Sequence, residues 1–211
     1  HEADDAIRAK VRELCEGATT AEEKIRRIYH YVVSDIRYNA SWEFGIHGFK
    51  PYNATQIYAR KFGDCKDKAT LINTMLREVG IASYPVLIFG EDARGVEDIT
   101  LPLMNHFNHC ISWVDWGQGG VFLDGTAQHH AYPDLPSMDY GARVVVITPG
   151  GAAVKDIGYR EPTENAVREQ HHVQVREDGG GELTSVIEGS GTFESLLRDW
   201  LLTEGRRKEV L

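Results

Sequence analysis

Cys65, His109 and Asp124 are the residues of this 211-residue chain whose types and settings suit nucleophilic chemistry. A thiol attacks a carbonyl only as the thiolate, and an ordinary cysteine, with a pKa of about 8.5, is mostly protonated at neutral pH. Cys65 follows Asp64, a good N-cap, and precedes an apolar-periodic run, so it is predicted to occupy the first turn of a helix. There the helix dipole and the unpaired backbone N–H groups favour a negative sulfur. The same groups, the N–H of Cys65 among them, can hold an oxyanion, a role usually worth about two to three orders of magnitude in rate. A base must take the thiol proton, and a third group must hold that base in one tautomer. His109, heading one predicted strand, and Asp124, ending the next, are the candidates. The chemistry implied is acyl transfer from an amide through a thioester. Water resolves the thioester in a peptidase or amidase, and an amine resolves it in glutamine crosslinking.

Each of these residues also has an ordinary reading as packing, and two other functions compete. His106, His109, Asp124, His129 and His130 offer His-x-x-His with a nearby acid, a set that could bind zinc. His106 and His109 on an extended segment would point to opposite faces, however, so neither a metal nor a cofactor is expected. A non-enzymatic binding module that keeps the fold is the other alternative, and the filling of all three positions speaks against it.

The elements that must position these residues can be read from pattern. A helix is predicted over 4–16, and Thr20 with Glu23 forms a capping box opening a second, whose apolar face is Ile25, Ile28, Tyr29, Val32 and Ile36. Residues 37–53 read as an irregular crossing. Asn53 and Gln56 open a short helix to about Arg60, and the cysteine helix follows over 65–79 with Leu71, Ile72, Met75, Leu76 and Val79 buried. Residues 82–89 read as a strand, in which Pro85 suggests an edge or a bulge. A polar loop over 90–108 leads to a hairpin of 109–116 and 121–124, and 143–148 forms another strand. A turn centred between Trp116 and Gly117 would set His109 directly opposite Asp124; one centred on Gln118 and Gly119 would slide them four residues apart on the same face. Helices first and antiparallel strands afterwards make an α+β layout. Loop-like composition over 149–163 marks a boundary. Beyond it, 167–176 and 182–188 read as a second hairpin and 193–202 as a closing helix. The expected division is a core over 1–160 and the start of an incomplete β-rich domain over 161–211.

Gly63, Asp64, Cys65, Lys66, Asp67, Lys68 and Ala69 match, at seven consecutive positions, the nucleophile motif of bacterial transglutaminase-like proteins. Phe107-Asn108-His109 resembles that family's histidine motif, and Leu123-Asp124-Gly125-Thr126 resembles its Leu-Asp-Pro-Thr acid motif, with a glycine for the proline that loosens the turn. Ile36-Arg-Tyr, Glu43-Phe-Gly and the run from Val79 to Val86 add to the likeness, which covers roughly 21–148. The resemblance implies a papain-like α+β core in which the nucleophile helix packs on an antiparallel sheet bearing the histidine and the acid. It implies Cys65, His109 and Asp124 as the triad, with Trp42 or Tyr38 as a second oxyanion donor, since an indole N–H or a phenol can serve there in similar enzymes. A protein or peptide substrate, flanking β domains and an exported, periplasmic location are further expectations drawn from such relatives.

Composition narrows the alternatives. A formal net charge of −9, with Lys and Arg scattered along the chain, speaks against nucleic acid as the main partner. With 42% hydrophobic and 26% charged residues the chain is expected to pack as a globular protein. No apolar run is long enough to span a bilayer, so membrane insertion is not expected. Three cysteines without CxxC spacing indicate neither a disulfide framework nor a thiolate zinc site. The chain begins His-Glu-Ala, without a Met, and removal of a leader or an upstream domain is expected.

Overall fold

A computed structural model describes residues 1–39, 48–93, 95, 98–101, 103–202 and 204–210. The chain divides into two compact units, 1–128 with 132–159, and 129–131 with 160–211.

The first unit opens with α1 (Asp5–Cys15) and α2 (Ala21–Asp35), the latter started by the Thr20/Glu23 capping box. A two-residue strand, β1 (Arg37–Tyr38), follows, then α3 (Ala54–Arg60), β2 (Phe62–Gly63) and α4 (Cys65–Glu78). Five strands complete the unit: β3 (Ser83–Ile88), β4 (His109–Val114), β5 (Val121–Leu123), β6 (Arg143–Thr148) and β7 (Gly151–Asp156). They form one antiparallel sheet in the order β5-β4-β3-β6-β7.

Strand alternation sorts the sheet residues between two cores. Val114 and Leu123 face the helices, where they meet Ile7, Ile25, Ile28, Leu71, Ile72 and Met75. Val86, Ile88, Ile111, Trp113, Val144 and Val146 fill the opposite face. Leu71, Ile72, Met75 and Leu76 of α4 are all wholly buried. A buried aliphatic side chain contributes about 1.5–3 kcal/mol, against about 1 kcal/mol for a helix cap. Packing of this stripe therefore fixes where α4 lies, and the cap fixes where it starts.

Three expectations need correction. Pro85 does not mark an edge: β3 is the central strand, and it meets β6 only at Val86 and Leu87, so that ladder stops before it reaches the proline. The stretch after Pro149 is not all loop, because β7 pairs along the whole of β6. The hairpin register falls between the two expected, with Ser112 opposite Leu123 and Trp113 opposite Phe122. Continued by one residue, it sets position 124 across from Ile111, two residues from His109 on the same face.

The second unit holds a regular hairpin, β8 (Val167–Val175) with β9 (Gly181–Gly189), followed by α5 (Thr192–Leu201) and α6 (Glu204–Val210).

Candidate active site

The seven-residue stretch around Cys65 is built residue by residue. Gly63 lies so close to α4 that an added Cβ would stand 2.6 Å from Asp67 Cβ, so only glycine fits. Asp64 is the N-cap: its side chain accepts from the Asp67 backbone N–H, and Asp67 Oδ2 accepts from the Asp64 N–H in return. Lys66 pairs with Asp64. Asp67, nearly buried, also accepts from Arg60 Nη2 at 2.6 Å and from Tyr52 N at 2.8 Å, which ties the start of α4 to α3 and its approach. Lys68 is buried and donates to the carbonyls of Ile36 (2.6 Å) and Val33 (3.3 Å) at the end of α2. That helix has no basic residue in its last turn, so Lys68 supplies the cation its negative pole lacks. Cys65 is thereby held at the first position of a helix anchored on two sides.

His109 begins β4 opposite Ile88. Asn108 pins the strand start by accepting from Gly90 N (2.7 Å) and donating to Gly90 O (3.1 Å). His109 Nε2 lies 3.1 Å from Asp124 Oδ2, and Cys65 is near enough to the same ring to act on its proton. With Nε2 engaged, Nδ1 is the nitrogen that remains for the sulfur. Burial works against charge on the imidazole, but the hydrogen bonds and negative charges of Asp124 and Cys65 outweigh it and push its pKa up to about 11. The imidazolium is the form this pocket selects.

Asp124 is completely buried and held at every oxygen. Oδ1 accepts from the Thr126 N–H (2.7 Å) and hydroxyl (2.8 Å), Oδ2 from His109, and the backbone carbonyl from the Tyr29 hydroxyl (3.1 Å). Burial raises its pKa, but the bonds from His109 and Thr126 more than offset this and leave it below the ordinary carboxylate value. The glycine at 125 does not loosen this turn. An added Cβ there would lie 2.9 Å from Lys68 Cβ and 3.2 Å from Ile72 Cδ1, so the turn packs directly on α4. Thr126, two residues after the acid, is a local signal of this turn, because its N–H and hydroxyl both close on the carboxylate.

Tyr38 pairs with Gly63 in the parallel β1–β2 ladder, which Arg37 N and Asn39 N extend to the carbonyls of Lys61 and Gly63 (2.9 Å each). The ladder sets Tyr38 beside the start of α4. Although 41% exposed, its phenol is pushed up to about 12, first by partial burial and then by the charges of Cys65, Asp124 and Asp64. It stays an O–H donor over the physiological range. Trp42 and the Glu43-Phe-Gly stretch lie outside the described residues. Cys110, on the helix-facing side of β4, is raised by burial and then by the charge of Cys65, so its thiol stays protonated.

Among the described residues, a group able to offer three metal ligands is His109, Asp124 and Asp139, whose ligand atoms lie within 4.8 Å of one another. His106, His129 and His130 are not part of it. Asp124 already accepts from His109 and Thr126, so a cation there would have to displace a proton and these bonds. A cavity of about 770 Å³, lined by Thr70, Asn73 and Arg77 of α4 and by Ser83 at the start of β3, contains none of the three triad candidates.

Residues 8–132, more than half of the chain, match the transglutaminase-like superfamily. The chain belongs to that superfamily. The helix bearing Cys65, the strand bearing His109 and the turn bearing Asp124 all fall inside the transglutaminase-like segment. A solved structure from Parabacteroides distasonis, described as a candidate protease, shares its fold with a TM-score of 0.56 at 11% identity, covering 98% of this chain and 55% of that one. A candidate cysteine protease from Cytophaga hutchinsonii aligns with a TM-score of 0.47 at 12% identity, covering 89% of this chain and 51% of that one. The transglutaminase-like chain thus spans about half the length of these two proteins. No curated protein matches it in sequence.

Proposed function

We propose that the protein catalyses cysteine-dependent acyl transfer at amide bonds of a protein or peptide, with water as the acceptor. The observation that carries this reading is the His109 imidazole, 3.1 Å from the buried Asp124 carboxylate, with its proton affinity raised by Asp124 and by Cys65 at the start of α4. Cys65, beside a charged imidazole at a helix start, attacks the amide carbon as thiolate. The developing oxyanion is met by the Cys65 backbone N–H and the Tyr38 hydroxyl. His109 gives its proton to the leaving amine nitrogen as the C–N bond breaks, leaving a thioester and a neutral imidazole. The imidazole then takes a proton from water, whose oxygen attacks the thioester carbon; the C–S bond breaks, the carboxylic acid formed leaves and gives its remaining proton to solvent, and the thiolate and imidazolium are restored. Hydrolysis is favoured over crosslinking because bacterial proteins with this cysteine motif resemble proteases, and the Parabacteroides protein is described as a candidate for one.

The test pairs the native protein with Cys65→Ala on a panel of fluorogenic peptides and casein, with and without a primary amine. Release of new termini by the native protein only, at a rate at least about a thousandfold above the variant, is expected. Incorporation of the amine in place of hydrolysis would move the assignment to crosslinking. If iodoacetamide labels Cys65 at pH 6 no faster than it labels glutathione, the enzymatic reading is wrong.

A further inference from the structure

Cys65 stands between two carboxylates, Asp64 and Asp67, in a first turn whose positive pole favours a negative sulfur. Both acids are drawn to that pole themselves. Asp64 accepts from the Asp67 N–H and Asp67 from the Asp64 N–H, so the cap that starts the helix also sets two negative charges about the nucleophile. Like charges disfavour an ionised thiol. Each acid is answered, however: Lys66 pairs with Asp64, and Arg60 pairs with Asp67 at 2.6 Å. The two pairs differ in burial. The Asp64 side chain is 31% exposed, where water screens its charge, and that of Asp67 is only 3% exposed, where water does not.

Arg60 is fixed where Asp67 needs it. Its guanidinium lies 3.6 Å from the centre of the Tyr52 ring and 4.7 Å from that of Phe62, and its Nε donates to the Phe62 carbonyl at 2.8 Å. Its Nη2 then remains for Asp67. Aromatic faces and a planar fork of donors suit a guanidinium and not an ammonium. The other charged or titratable groups about this turn are Lys68 on α4, His109 and Cys110 on β4, Asp124 after β5, and Arg37 and Tyr38 on β1. His109 is engaged with Asp124, Lys68 with the carbonyls of Val33 and Ile36, and Arg37 lies over the Phe62 ring. We propose that Arg60 is a positioning residue for the reaction, which acts through Asp67. By holding and neutralising that carboxylate it keeps the start of α4 free of uncompensated negative charge, so that Cys65 ionises beside His109. This rests on the reading of Cys65 as the nucleophile, but its test follows ionisation and needs no substrate.

The pH profile of Cys65 alkylation by iodoacetamide, followed by mass spectrometry of the Cys65 peptide, is measured for the native protein, Arg60→Gln, Arg60→Lys, Asp67→Asn and the double variant Arg60→Gln/Asp67→Asn. In Arg60→Gln the acid limb should move to higher pH by about half a unit or more, and in Asp67→Asn to lower pH, while the double variant returns to within about 0.2 unit of native. Arg60→Lys, which keeps the charge but not the fork, should move by less than about half as much as Arg60→Gln. Slower alkylation at every pH with the limb unmoved would mean a packing role and overturn the proposal, as would a double variant that stays with Arg60→Gln. Should Arg60→Gln fail to fold, Asp67→Asn decides: a limb that is unmoved or moved to higher pH overturns the proposal. Alkylation of the native protein at pH 6 no faster than that of glutathione would instead remove the catalytic reading, so the two failures are separable.

Discussion

His109 answers opposing demands, since burial would strip its proton while Asp124 and Cys65 keep it there. Its contribution to stability is fully present below about pH 6.5, the unfolded value, and is lost as pH rises through about 11. The Asp124 contribution runs the other way, present above about pH 4 and lost as pH falls through its depressed native value. The native imidazole resonance should therefore titrate far above neutrality, and Asp124→Asn should bring the midpoint down by about two pH units; an unmoved midpoint would mean that the 3.1 Å contact carries no charge coupling. Cys65, His109 and Asp124 were legible as a set because each sits at the end of an element with a sequence signal: a cap, a strand start, a strand end. Asp139, whose carboxylate lies within 4.8 Å of His109 and Asp124, had no such signal. It comes from an irregular stretch rich in proline and glycine, and only the folded chain shows where that stretch returns.

Between elements, the contact of the Asp124 turn with α4 leaves no space at position 125. Gly125→Ala should cost about 1–3 kcal/mol in chemical denaturation and slow Cys65 alkylation, because the Cβ must push either Lys68 or the Asp124 turn aside. Equal stability and reactivity would show that the turn can yield freely. Lys68 is the reverse of His109: burial lowers it to about 8 despite the attraction of Asp124. Its folded form binds its proton less tightly than the unfolded chain, so the cost is full below about pH 8 and is relieved as pH rises toward about 10.4. The native protein should thus gain about 3 kcal/mol relative to Lys68→Met over that interval, and parallel stability curves would contradict a buried charge. The capping boxes of α2 and α3 and the Asp64 cap of α4 were readable because they rest on residue types at fixed spacing. The register of the β4–β5 hairpin was not, since Gly117, Gly119 and Gly120 permit more than one turn centre. β7 escaped notice because it is an exposed strand, Gly-Ala-Ala-Val-Lys-Asp, without apolar alternation.

For the molecule as a whole, both buried cores draw, among the described residues, only on positions between Ala3 and Ile157, and the three triad candidates fall within that span. Cleavage of the chain after Tyr159 should leave the rate of Cys65 alkylation within about twofold of native, a bound set by about 0.4 kcal/mol of activation free energy; a larger loss would show that the second unit shapes the site. Helix-then-sheet order was visible from composition and periodicity, because each element carries its own apolar stripe. The layering that brings α2 against α4 was not, because Lys68 grips main-chain carbonyls, which every residue possesses. A protein engineer wishing to graft the cysteine loop onto a foreign scaffold would therefore gain little by copying the residues at 33 and 36. What must be transplanted is a helix terminus at the correct height, and any side chains that end a helix there would serve.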